Sequence, residues 1–297
     1  MKAATKGVLI FAHNNIELDY IRLAIVNALL IQKNLGFSKD QITIVTDSHS
    51  LDHANKTIKD LVKKASNNYI VVDIDVNFKH ENKRSFKDTG ITIKTLPFYN
   101  ANRCDAFDLS PYDETLVIDA DFLILSNSLN ACWGHNNELM MNWEYTDIMD
   151  GRKHPELDRI SDFGITMYWA TVVYFRKTEY CKTFFNFVKH VRNNRNYYGN
   201  LYNWRSGVYR NDYSFSIAAH MVSGYKDKQI PQLPIKLYKT FDIDDVHDVT
   251  DLNEIVLFLE KVRSPGDFIL TKWKGVDLHI MNKWALNRIS DNMIKFL

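Results

Sequence analysis

Three runs of β-favouring residues alternate with two helical stretches at the start of this chain. No other feature limits the fold as strongly. Gly7-Val-Leu-Ile-Phe-Ala12 is apolar throughout and closes on His13-Asn14-Asn15. A continuous apolar run of this kind reads as a strand buried on both faces. Residues 18–35 carry apolar side chains at helical spacing (Ile21, Ala24, Ile25, Ala28, Leu29), with Gly36 where a helix C-cap belongs. A second strand over 41–46 ends at Asp47, a second helix spans 51–65, and a third strand spans 69–73. This order predicts an α/β fold: a Rossmann-type, mostly parallel sheet flanked by helices. Ligands of such sheets gather beyond the carboxyl ends of the strands, and His13, Asn14 and Asp47 stand at such ends.

Further along, residues 74–94 are polar and read as a loop or excursion. Residues 114–119 resume a buried strand, and 122–125 carry the apolar run onward. A strand-like run covers 165–175, helices 180–191 and 212–221, a short strand 277–280, and a closing helix 283–296. No repeat and no Gly/Ser- or Pro-rich linker divides the chain, so a single domain is expected.

Composition narrows the function classes. Hydrophobic residues make up 45% and aromatics 13%, enough to fill a core and to exclude wholesale disorder. The net charge is +1, from 37 Lys+Arg and 36 Asp+Glu. That balance excludes holding nucleic acid by bulk electrostatics, but not by a local basic face. Cys104, Cys132 and Cys181 form neither a disulfide framework nor a metal-binding pair, which points to a reducing, cytoplasmic setting. The apolar run after Lys2 and Lys6 is too short for a signal peptide, and no stretch reaches the ~18–20 apolar residues of a membrane span.

Asp119-Ala120-Asp121 lies inside an apolar run, Leu116-Val-Ile before it and Phe122-Leu-Ile-Leu after. Buried carboxylates are costly unless paired or bound to a cation. Two residues apart on an extended chain, both face the same way and repel. A divalent ion taking oxygen ligands, Mn²⁺ or Mg²⁺, resolves the conflict. Asp73-Ile-Asp75 and Asp242-Ile-Asp244 are rival pairs, and ordinary strand-end carboxylates are the plain alternative.

The opening strand–helix–strand, the aspartate closing the second strand and Leu-Val-Ile-Asp-Ala-Asp together resemble GT-A glycosyltransferases. The segment Asp277-Leu-His-Ile-Met-Asn-Lys283-Trp is similar to the terminal His…Lys element of retaining, family 8-type enzymes. It departs from that pattern in having Asn282 where the family has a glycine, and no proline before Trp284. His-Ile-Met-Asn-Lys with Tyr168-Trp-Ala-Thr171 resembles a subgroup encoded by tailed phages. The resemblance implies a nucleotide-sugar donor (UDP-sugar favoured), a metal held by Asp119, Asp121 and His279, and a diphosphate contact at Lys283. It also implies a nucleotide-sugar-binding half over 1–125, an acceptor-binding half over 126–297 that ends in the metal/diphosphate element and, for a phage enzyme, the host cytoplasm.

Arg103, shortly before the metal strand, is a second candidate cation for phosphates; His13, Asn14 and Asp47, with Tyr20, are candidates for the base and ribose pocket. Plain loop or core roles compete for each. Asp212 opens a helix, where an N-cap role also accounts for it. If the reaction inverts configuration, Asp212 or Asp162 is the candidate general base; if it retains, the donor phosphate takes the proton and no side-chain base is needed. The segment from Lys189 and Arg192 through Arg195, Tyr197, Tyr198, Tyr202, Trp204, Arg205, Tyr209 and Arg210 interleaves cations with aromatics, a pattern that stacks on sugars or bases. The phage resemblance implies one acceptor, a hydroxymethylated base in duplex DNA, with cations near Arg152 and Arg192 on the backbone. A glycan or protein acceptor, or an inactive sugar- or DNA-binding module, is the alternative.

Overall fold

A computed structural model of the chain describes residues 5–72, 82–162, 164–204 and 208–297. With strands numbered along the chain, the central sheet contains β1 (Lys6–Phe11), β2 (Ile42–Thr46), β3 (Asn68–Val71), β6 (Glu114–Asp119), β8 (Leu139–Met141) and β10 (Val172–Arg176). Their order is β3-β2-β1-β6-β10-β8. The first four are parallel, and β10 runs antiparallel to both β6 and β8. The mostly parallel sheet flanked by helices is therefore as the apolar runs predict.

Alternation along each strand sends its residues into two cores. Val8 and Ile10 of β1 meet helix Tyr20–Leu35 on one face; Leu9 and Phe11 meet helices Glu179–Asn193 and Asn211–Val222 on the other. Helix Tyr20–Leu35 starts where the Asp19 side chain accepts from the Arg22 amide, and stops at Gly36, whose φ of 75° suits glycine. Gly7 has a different reason to be glycine: a Cβ there would lie 2.4 Å from the Tyr112 ring.

The structure departs from the sequence reading in several places. The expected helix over 51–65 breaks at Ile58 (φ −140°) into Ser48–Thr57 and Lys59–Ala65. Part of the expected polar excursion is a hairpin, β4 (Lys83–Lys87) against β5 (Ile93–Pro97). The apolar run after Asp119 does not continue its strand. It turns at Ala120–Asp121 and joins a second sheet, β7 (Phe122–Leu123), β15 (Leu278–His279), β11 (Tyr238–Lys239) and β9 (Thr146–Asp147), in that order. A meander of β12 (Asp245–Asp251), β13 (Glu254–Glu260) and β14 (Phe268–Lys274) is absent from the sequence reading: β12 and β14 mix polar and apolar residues, although β13 carries the apolar run 255–259. No helix among the described residues is long and apolar enough to cross a membrane. The three cysteines are buried and free.

Candidate active site

A cleft opens at the carboxyl ends of β1 and β6, whose last residues, Phe11 and Asp119, are register partners and both line it. Its water-accessible volume is about 80 Å³. The turn after Asp119 carries Asp121 to its edge. Across the second sheet His279 pairs with Phe122, and the Ile280 amide donates to the Asp121 carbonyl at 3.0 Å. One ligand atom from each of Asp119, Asp121 and His279 thus lies within 4.8 Å of the others. Asp121 and His279 are each only 6% exposed. The sequence placed the two aspartates together on an extended strand; a turn brings them together instead.

Electrostatics keep the group ready for a cation. Burial alone would raise the Asp121 carboxyl, but Lys283, 2.8 Å away, and His279, 3.4 Å away, outweigh it and hold the group well below the usual carboxylate range. Burial pushes the His279 imidazole down, against the pull of Asp121. Arg103 pairs with Asp119 and donates to the Ala170 carbonyl at 2.9 Å. Two carboxylates and one imidazole, convergent on one cleft, fit a divalent ion.

Of the other residues singled out in the sequence, Arg103, Lys283, Asp212 and Tyr20 also line this cleft. Asp212 accepts from the Ala170 amide (3.0 Å) and from Arg210 (3.1 Å). Burial would raise its carboxyl, but Arg210 and the amide more than offset this and hold it low. The Tyr20 hydroxyl is buried with no hydrogen-bond partner among the described residues. Asn282, the departure from the family pattern, caps helix Lys283–Ile294 by accepting from the Ala285 amide at 3.0 Å.

His13, Asn14 and Asp47 sit beside the cleft but not on its wall. The His13 amide donates to Asn100 Oδ1 at 2.7 Å, and Asn100 itself lines the cleft. Asn14 accepts from the Ile21 amide, and Asp47 caps helix Ser48–Thr57 through the Ser50 amide, both by 2.9 Å or less. Asp162 is exposed in a separate surface depression with Arg159 and Leu201.

Arg152 corrects the reading of a cation available to a nucleic-acid backbone: its side chain is buried between Asp147 and Asp244. That pairing also accounts for Asp244 of the rival carboxylate pair; Asp73 and Asp75 lie outside the described residues, as does Arg205. In the aromatic segment Tyr198, Trp204 and Tyr209 are buried, while Tyr197 is 64% exposed. Arg84 was missed altogether, because a lone arginine in Lys83-Arg84-Ser85-Phe86 looks like any surface strand.

No family model and no curated protein matches the chain. Solved structures do. A galactosyltransferase, LgtC, in complex with donor and acceptor sugar analogs is 11% identical, with 72% of this chain and 70% of that one covered, at a TM-score of 0.46. The glycosyltransferase GlyE of Streptococcus pneumoniae is 12% identical over 77% of this chain and 45% of its own, at 0.43. Mouse xyloside xylosyltransferase 1 is 12% identical over 74% and 83%, at 0.41. The chain thus spans under half the length of GlyE. At such values the likeness assigns no activity to this chain.

Proposed function

We propose that this chain is a metal-dependent glycosyltransferase of the GT-A type, moving a sugar from a nucleotide-sugar, a UDP-sugar by preference, to a hydroxyl acceptor. The observation that carries this reading is the convergence of Asp119, Asp121 and His279 in one cleft, with Arg103 and Lys283 against the two aspartates. A bound Mn²⁺ or Mg²⁺ would act as a Lewis acid, neutralising the charge that develops on the leaving diphosphate. Arg103 and Lys283 supply fixed cations for phosphate oxygens in the same cleft. The ends of β1 and β2, with His13, Asn14 and Asp47, are the side we assign to base and ribose, within residues 1–125; residues 126–297 then supply the acceptor side together with the C-terminal His279 and Lys283 of the metal and diphosphate site.

Asp212 is held ionised by Arg210 and an amide, which makes it a weak base. Its part is to orient a sugar hydroxyl and face the positive charge of an oxocarbenium-like centre. With retention the proton passes to the leaving phosphate and no side-chain base is needed; inversion would need Asp212 or Asp162 as base.

The test is a thermal-shift panel of nucleotide sugars with and without Mn²⁺ or Mg²⁺. A ligand that binds only the folded state raises its melting temperature. A metal-dependent shift with one donor supports the reading, and flat curves with every donor overturn it. Acceptors follow: glycans, peptides, and duplex DNA with hydroxymethylated bases, the arm matching a phage enzyme in the host cytoplasm. Donor binding without turnover on any of them would favour an inactive binding module.

A further inference from the structure

The cleft holds more positive charge than its own carboxylates answer. Arg84, Arg103, Arg210 and Lys283 line it, against Asp119, Asp121 and Asp212. Arg103 pairs with Asp119, Lys283 with Asp121, and Arg210 with Asp212. Arg84 has no carboxylate partner among the described residues. It projects from β4 of the hairpin and lies with its guanidinium carbon 3.5 Å from the centre of the Phe98 ring. One terminal nitrogen donates to the Tyr209 carbonyl at 3.2 Å. The Nε is buried and has no hydrogen-bond partner among the described residues. Burial, then the repulsion of Arg210, lowers the group from its ordinary value to about 10, still charged at neutral pH. A desolvated cation beside a second cation is costly unless an anion joins it.

The donor does not supply that anion through its diphosphate. A divalent ion brings two positive charges and a nucleotide-sugar diphosphate two negative ones, so the pair cancels and leaves Arg84 unanswered. We propose that Arg84 receives an anionic group, a carboxylate or phosphate, which a substrate carries in addition to the donor diphosphate. A guanidinium fork suits both groups, and its stacking on Phe98 fixes the plane in which the anion must approach. The anion sits on the transferred sugar or on the acceptor. The inference rests on the nucleotide-sugar reading above and goes beyond it by naming the charge of the substrate.

The test is titration calorimetry with Mn²⁺ on the wild type, Arg84→Gln and Arg84→Lys. UDP alone reports the metal–nucleotide site. UDP-glucuronate against UDP-glucose tests the sugar arm. Glucose 6-phosphate against glucose, added to the UDP–Mn²⁺ complex, tests the acceptor arm. In one arm the anionic probe binds wild type at least tenfold tighter than its neutral counterpart. Arg84→Gln reduces that preference to under twofold, and Arg84→Lys, which keeps the charge and controls for folding, retains part of it. The affinity for UDP changes less than threefold in both variants. Binding of UDP without discrimination in either arm overturns the proposal. So does an equal loss of UDP and anionic-probe affinity in Arg84→Gln, which would make Arg84 a diphosphate contact. Failure of UDP to bind wild type with Mn²⁺ instead removes the metal–nucleotide reading, and this one with it.

Discussion

The molecule buries charge in two places, and they differ in what is left over. Away from the cleft, Arg152 forks onto both oxygens of Asp244 (2.8 and 2.7 Å), and its Nε reaches Asp147 (2.9 Å). Lys239, fully buried, and His154 each meet the other Asp147 oxygen at 3.0 Å. Amides of Phe241 and Glu260 complete Asp244. Two cations balance two carboxylates, and their hydrogen bonds tie β9, β11 and the start of β12 together, although Asp147, Arg152 and His154 also line a surface depression. In the cleft each aspartate shares one cation, ligand atoms converge on open space, and Arg84 is in excess. Burial and ionisation are common to both clusters, so neither property marks a site. Incomplete satisfaction facing a cavity does.

The sharpest way to break this contrast is to remove one carboxylate from each cluster. Asp121→Asn should cut metal-dependent transfer by about 10³-fold, roughly 4 kcal/mol, in a protein that remains folded at the assay temperature although the Lys283 pair is lost. Turnover rates with saturating Mn²⁺ check it, and retained activity would remove Asp121 from the site. Asp244→Asn should do the reverse. Breaking a buried pair costs about 3–5 kcal/mol, and the melting temperature should fall on the order of 10 °C. The folded fraction should still bind UDP with Mn²⁺. If Asp244→Asn instead abolished that binding at unchanged stability, the closed cluster would be functional.

Acid separates the clusters further. Burial opposes ionisation of Asp147, but Lys239 prevails, with the Met149 amide and Arg152, and its folded pKa lies below the ordinary carboxylate value. Its contribution to stability is therefore complete above the unfolded value and lost as pH falls through the lower folded one. The stability difference between wild type and Asp147→Asn should be constant above about pH 5 and shrink below about pH 4. A difference that instead peaked in acid would reverse the sign of the shift. The smallest effect concerns Asp47, whose Oδ1 caps a helix while Oδ2 meets only Ser50 Oγ at 3.2 Å. Asp47→Asn, an equally good cap, should change stability by under about 0.5 kcal/mol and weaken UDP severalfold. Unchanged UDP affinity would leave Asp47 with capping alone.

Legibility in the sequence followed solvent exposure. β1, β2 and β6 are apolar on both faces and can be read directly; helix Tyr20–Leu35 adds a capping aspartate and a terminal glycine. The hairpin and the outer strands of the meander are half-exposed, and their mixed charges hide the strand period; the apolar, largely buried run 255–259 of β13 was legible and was overlooked. Asp119 and Asp121 stood out because aspartates among Leu, Val, Ile and Phe demand a reason. Arg152 misled, since a sequence does not show whether a charge points outward or toward a carboxylate distant in the chain. Arg84 was invisible for the same reason: its significance lies in a partner it lacks.

The strand that carries His279 has a consequence for how the protein comes to be made. β15 is hydrogen-bonded between β7 and β11, 155 residues or more from the aspartates' turn along the chain and immediately beside it in space. During synthesis the parallel sheet and both aspartates leave the ribosome long before residues 278–283 do. A nascent chain would then hold Asp119 already paired with Arg103, but Asp121 with neither His279 nor Lys283 to answer it. The metal centre is completed only when the second sheet receives its late strand, so the capacity to grip a cation would report that the fold has closed.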